Sequence, residues 1–167
     1  MKRELIQALF VPALFAAAAV MAAPGHGSNP VGEPGKATQA TRTIEVNMTD
    51  TMRFTPAEVS VHQGETVRFI VKNSGAVKHE LVLGTPEDLK AHYAMMVKMP
   101  GVEHADDNMV SVEPGKTGEV VWRFTKAGKI DFACLQPGHF DAGMRGFVNV
   151  APKAGAATSG GHGGHPH

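Results

Sequence analysis

Short runs of β-branched and aromatic residues recur along this chain, each closed by turn formers, and that rhythm restricts the fold more than any other feature. The runs are Thr43 to Asn47, Glu58 to His62, Thr66 to Lys72, His79 to Leu83, Val110 to Val112, Gly118 to Phe124, Lys129 to Ala133 and Gly146 to Val150. Gly64, Asn73-Ser74-Gly75, Pro114-Gly115 and Gly128 punctuate them. About eight short, evenly spaced strands predict an all-β sandwich. Alternation supports it, because Val67, Phe69 and Val71 point one way while Arg68 and Lys72 point the other. In the same manner Val121 and Arg123 oppose Val120, Trp122 and Phe124.

One interval breaks the β pattern. Thr85 offers an N-cap, Pro86 suits the first helical turn, Glu87 and Asp88 favour a helix start, and Pro100-Gly101 is a stop. A short helix over Pro86 to Lys98 is therefore predicted as an insertion between strands.

The two ends differ from this middle. Met1-Lys2-Arg3 is basic and leads into an apolar stretch from Leu5 to Val20, with small residues at Ala22 and Ala23. This reads as a secretory signal peptide, residues 1–22, too short for a membrane span, so no stable span is expected after cleavage. Residues 23–41 are rich in Gly, Pro, Ser and Thr and read as a flexible leader. Residues 152–167 form a Gly/His-rich tail that cannot supply a core. The folded domain is placed at 42–151. The chain carries no formal net charge and no Lys/Arg cluster, so nothing points to nucleic acid or an anionic membrane surface.

Cys134 is the only cysteine. An exported chain with one cysteine has no internal disulfide, and a bare thiol in an oxidising compartment invites oxidation unless it is buried or bound to metal. The run Cys134-Leu-Gln-Pro-Gly-His139-Phe-Asp-Ala-Gly-Met144 puts a thiol, an imidazole and a thioether close together. Soft sulfur donors with imidazole favour copper, and a His₂Cys plane with a distant Met suits electron transfer. The second imidazole is best supplied by His79, which shares a strand face with Leu81 and Leu83 and so sits at the rim of an apolar interior. Structural zinc rarely takes a thioether and usually has more cysteines or a carboxylate. Nucleophilic catalysis by Cys134 with His139 as base would need an orienting third group and an oxyanion hole that the sequence does not reveal, so no enzyme is expected.

The order Asn-x-Gly…His, then Phe-x-Cys-x₄-His-x₄-Met followed by a last strand, resembles the cupredoxins over about Thr41 to Val150. The resemblance implies a Greek-key β-sandwich holding one type 1 copper, with His79, Cys134 and His139 as equatorial ligands and Met144 as axial ligand. The wording Lys78-His79-Glu80-Leu-Val-Leu-Gly84 is most similar to periplasmic cupredoxins associated with copper tolerance, with plastocyanin, azurin and rusticyanin as more distant likenesses. Many electron-transfer members have Asn or Ser where this chain has Glu80. Alternation predicts that Glu80 faces solvent.

Other histidines and methionines lie outside the core motif. His26, His162, His165 and His167 sit near the ends, and His92, Met95, Met96, Met99, His104 and Met109 cluster in and after the helix. The helical set shares one face, which either packs on the sandwich or holds extra copper. The functional expectation is a periplasmic, single-domain copper protein that exchanges electrons with an unidentified redox partner, takes part in copper tolerance, or does both. A copper buffer or chaperone using the accessory residues is the alternative, and a metal-free interaction module is a third.

Overall fold

The computed structural model describes residues 31–101 and 105–153. The expected signal peptide, His26, His104 and the tail histidines lie outside these described residues. Among these residues ten strands and one α-helix follow in order, with a 3-10 turn at Ala37–Gln39 between the first two strands: β1 (Glu33–Pro34), β2 (Arg42–Thr49), β3 (Arg53–Thr55), β4 (Glu58–His62), β5 (Thr66–Asn73), β6 (His79–Gly84), α1 (Pro86–Lys98), β7 (Met109–Val112), β8 (Thr117–Arg123), β9 (Gly128–Ala133) and β10 (Arg145–Ala151). One sheet runs β1-β8-β5-β2-β3 and the other β4-β10-β9-β6-β7. The chain is thus an all-β sandwich with a short helical insertion. The β2–β5 and β10–β4 pairs are parallel, so the chain must leave and re-enter each sheet rather than meander through it.

Alternation builds the main core. Val67, Phe69 and Val71 from β5 face Val120 and Trp122 from β8 and, across the sandwich, Leu81, Leu83, Ile130, Phe132, Val148 and Val150. Phe54 meets Phe132 edge-on with ring centroids 5.0 Å apart. Burying side chains of this size contributes about 1.5–3 kcal/mol each. β1 and β3 were not among the expected strands. Part of the segment expected to be a leader also lies against the first sheet. Val31 is buried, its carbonyl accepts from Trp122 Nε1 at 2.8 Å, and Glu33 and Pro34 pair with Arg123 and Trp122.

Helix α1 has the bounds its caps predict. Thr85 Oγ1 accepts from the Asp88 backbone N–H at 3.1 Å, and Glu87 and Asp88 occupy the first turn, where the helix dipole favours negative charge. The helix lays Leu89 and Met96 on the outer face of the second sheet, forming a satellite core with Val82, Met109, Ala133 and Leu135. On this face Val82 joins the satellite core and Leu89 packs against Gly84, while Leu81 and Leu83 turn into the main core, and every residue of β6 is buried. The expectation that Glu80 faces solvent fails, because Gln136 of the loop after β9 and Ser111 of β7 close over its carboxylate. Glu80 is 3% exposed.

Candidate metal centre

Strands β10, β9 and β6 are neighbours, and their antiparallel register brings the end of β9 and the start of β10 beside the start of β6. Cys134 follows β9, Met144 precedes β10, and His79 opens β6. One end of one sheet thus gathers residues far apart in sequence. The loop between β9 and β10 is closed by its own backbone. Cys134 N–H donates to Met144 O and Met144 N–H to His139 O, each at 3.1 Å, and His139 N–H donates to Gln136 O at 3.0 Å.

The four residues expected as ligands fall together in this region. One donor atom from each of His79, Cys134 and His139 lies within 4.8 Å of the others. Cys134 Sγ is 3.3 Å from His139 Nδ1 and 4.0 Å from His79 Nδ1, so both rings present the same nitrogen toward the sulfur. The ring centroids are 4.9 Å apart. His79, Cys134 and Met144 are fully buried, while His139 is half-buried. Met144 stands next to Cys134 through the backbone bond just given, and its side chain belongs to the main core.

Burial governs the sulfur's chemistry. Loss of solvent pushes the Cys134 thiol up to about 12, against smaller opposing effects of the Gln136 and Glu80 backbone N–H groups that point at it. The Glu80 N–H reaches Sγ at 3.3 Å. A nucleophilic cysteine needs the reverse, a lowered pKa and access. A thiolate here calls for a cation beside it. His139 is held below its ordinary value, first by desolvation and then by the neighbouring His79, which keeps its nitrogen free to donate. Two imidazoles, a buried thiol and a thioether in a dry pocket fit copper.

The loop before His79 is organised by Asn73, which is fully buried. Its Nδ2 donates to Val77 O and Val112 O at 2.8 and 2.9 Å, and its Oδ1 accepts from Gly75 N–H at 2.8 Å. Asp50, from the turn after β2, caps the same loop. Its Oδ2 accepts from Ala76 N–H at 2.7 Å, and its Oδ1 lies 3.1 Å from His79 Nε2. The Ala76 bond is the main reason the Asp50 carboxyl stays below its usual range. A Cβ at Gly75 would stand 1.9 Å from Asp50 Oδ1, so glycine is what allows this approach.

Helix α1 touches the other side of the site. Tyr93 Oη donates to Asp141 Oδ2 at 2.7 Å and accepts from Gly138 N–H at 3.1 Å, and its ring stacks on Phe140 at 5.0 Å. Beyond it, a groove of about 1010 Å³ lies between α1 and β9–β10 and contains none of the four expected ligands.

A family model for copper binding proteins of the plastocyanin/azurin type matches residues 40–151. The chain belongs to the plastocyanin/azurin family. It is 51% identical over 154 residues to the copper-resistant cuproprotein CopI of Rubrivivax gelatinosus, covering 85% of this chain and 93% of that protein. A copper-resistant cuproprotein CopI of Pseudomonas aeruginosa is 37% identical over 180 residues, covering 90% of this chain and 98% of that protein. Among solved structures, reduced auracyanin from Roseiflexus castenholzii superposes with a TM-score of 0.58 at 26% identity, covering 68% of this chain and 99% of its own.

Within the frame of the plastocyanin/azurin family, Asp50, Gln136 and Tyr93 are the residues that sequence reasoning missed. Asp50 lies 29 positions before His79, and no spacing rule connects a turn acid to a distant imidazole. Gln136 and Tyr93 matter only through partners that the fold brings to them. The accessory methionines divide: Met96 and Met109 are buried in the satellite core, whereas Met99 is 47% exposed. Among the described residues, no helix is long and apolar enough to cross a membrane.

Proposed function

We propose that His79, Cys134, His139 and Met144 hold one type 1 copper ion, and that the protein is exported to the periplasm, where it serves copper tolerance through redox cycling of that ion. The convergence of two Nδ1 atoms on the buried Cys134 sulfur carries this reading, since the three donors lie within 4.8 Å of one another. When bound, copper supplies one-electron chemistry. The chain's own residues hold the donors still. The Glu80 and Gln136 N–H groups stabilise negative charge on Cys134, and Tyr93 pins the loop that carries His139. His139, half-buried beside fully buried His79, is the donor whose ring edge lies nearest solvent and the natural route for electrons to a redox partner.

Likeness to proteins named as copper-resistant cuproproteins supports tolerance over a pure electron shuttle. The basic and apolar N-terminal segment supports export, and 42–151 is the proposed copper domain. Packing of Met96 and Met109 weighs against a second copper site on the helix face.

Two measurements test this. Adding Cu(II) to purified protein should give a visible thiolate-to-copper absorption band at one equivalent, and Cys134→Ser should abolish it. A colourless protein would overturn the copper site. Deleting the gene should impair growth on copper-containing medium; normal growth with impaired respiratory electron flow would favour the shuttle.

A further inference from the structure

Asp50 makes three contacts along the segment from Ala76 to His79. Its carboxylate accepts from Ala76 N–H at 2.7 Å and from Val77 N–H at 3.4 Å, and it faces His79 Nε2 at 3.1 Å. An ionised carboxylate only accepts hydrogen bonds, so His79 Nε2 must carry the proton. In the neutral ring that choice leaves Nδ1 bare, and Nδ1 is the nitrogen turned toward Cys134 Sγ. The His79 side chain has no solvent exposure, so water does not compete for Nε2, and among the described residues its acceptor is Asp50 Oδ1. Asp50 is 41% exposed, close enough to solvent to stay charged while sitting directly behind the ring.

A carboxylate behind a metal-binding imidazole fixes the tautomer, orients the ring and makes it a stronger donor. A stronger, more negative donor favours the higher oxidation state of a metal. We propose that Asp50 is a positioning residue that sets the tautomer and orientation of His79 and biases a bound copper toward Cu(II). This deepens the proposed function and rests on His79 being a ligand. Gly75 belongs to the same device, because any side chain there would displace the carboxylate.

Nitrogen NMR of the metal-free protein with labelled imidazoles tests the first half. Wild type should show His79 as a single Nε2–H tautomer. Asp50→Ala should give a mixture or the opposite tautomer, and the near-isosteric Asp50→Asn serves if Asp50→Ala does not fold. Potentiometry of the copper-loaded protein tests the second half. Asp50→Asn should lose about tenfold in preference for Cu(II) over Cu(I), which for one electron is a rise of about 59 mV. A role limited to tying the turn would lower thermal stability while moving neither readout. A His79 tautomer unchanged in Asp50→Ala would overturn the positioning role, and a preference within twofold of wild type in Asp50→Asn would overturn the bias. A wild type that takes up no copper would remove the ligand reading and the bias together, while the NMR arm would still decide the positioning.

Discussion

Gln136 Nε2 donates to Glu80 Oε1 at 2.6 Å, tying the loop that carries Cys134 and His139 to the strand that carries His79. Ser111 Oγ also donates to Oε1 at 3.0 Å, while Oε2 has no hydrogen-bond partner among the described residues. Glu80 is thus a buried bridge between the two halves of the site. Glu80→Ala leaves two donors unsatisfied and should lower stability in urea by about 1–3 kcal/mol. Glu80→Gln keeps an acceptor but removes buried negative charge near the sulfur. It should raise the reduction potential of the copper-loaded protein, and an unchanged potential would mean that this carboxyl exerts no field at the metal.

Proton release should accompany copper uptake. Burial raises the Cys134 thiol from 9.0 to about 12, so the folded metal-free protein keeps it protonated where an unfolded chain would begin to lose the proton. In the metal-free protein, the stability from this group is intact below pH 9.0 and is lost as pH rises toward 12. His139 has the opposite sign. Its lowered value means a contribution complete above 6.5 and lost as pH falls through the folded value. At about pH 8 the thiol proton is the one copper must displace, so apparent affinity should rise about tenfold per pH unit with one proton released. Calorimetry in buffers of different ionisation enthalpy would count that proton, and a count of zero would contradict a thiolate ligand.

Tyr93 links the inserted helix to the loop beside His139. Tyr93→Phe keeps the stack on Phe140 but loses the bonds to Asp141 and Gly138. We expect a loss of about 1 kcal/mol in stability and faster hydrogen exchange at the Gly138 amide. Exchange at the wild-type rate would show that the helix does not restrain the loop.

Met144 is fully buried, so Met144→Leu conserves volume and should cost under about 1.5 kcal/mol. Loss of a weak axial donor should raise the reduction potential while the visible band remains. Loss of the band would instead make Met144 essential to holding the metal.

The sandwich, the helix and the meeting of His79, Cys134 and His139 were legible because each is written in local chemistry. The helix ends were marked by Thr85, Pro86 and Pro100-Gly101, whose effects act within a turn. The ligand loop was marked by residue types that seldom meet without a metal. Glu33–Pro34 and Arg53–Thr55 are strands only because β8 and β2 pair with them, and two or three residues carry no period of their own. The burial of Glu80 was hidden for a related reason. Alternation reports which face a residue takes, and it cannot report that Gln136 from a later loop and Ser111 from a neighbouring strand close over that face. Asp50 was hidden because its partner comes from a different sheet, joined by tertiary structure alone.

The 1.9 Å that a Cβ at position 75 would leave to Asp50 also bears on descent. The constraint runs from the acid to the glycine: a side chain at 75 evicts the carboxylate, and the Asp50 backbone N, 3.2 Å from the same Cβ, keeps the position tight. Across lineages, wherever the acid is kept the glycine should be kept with it.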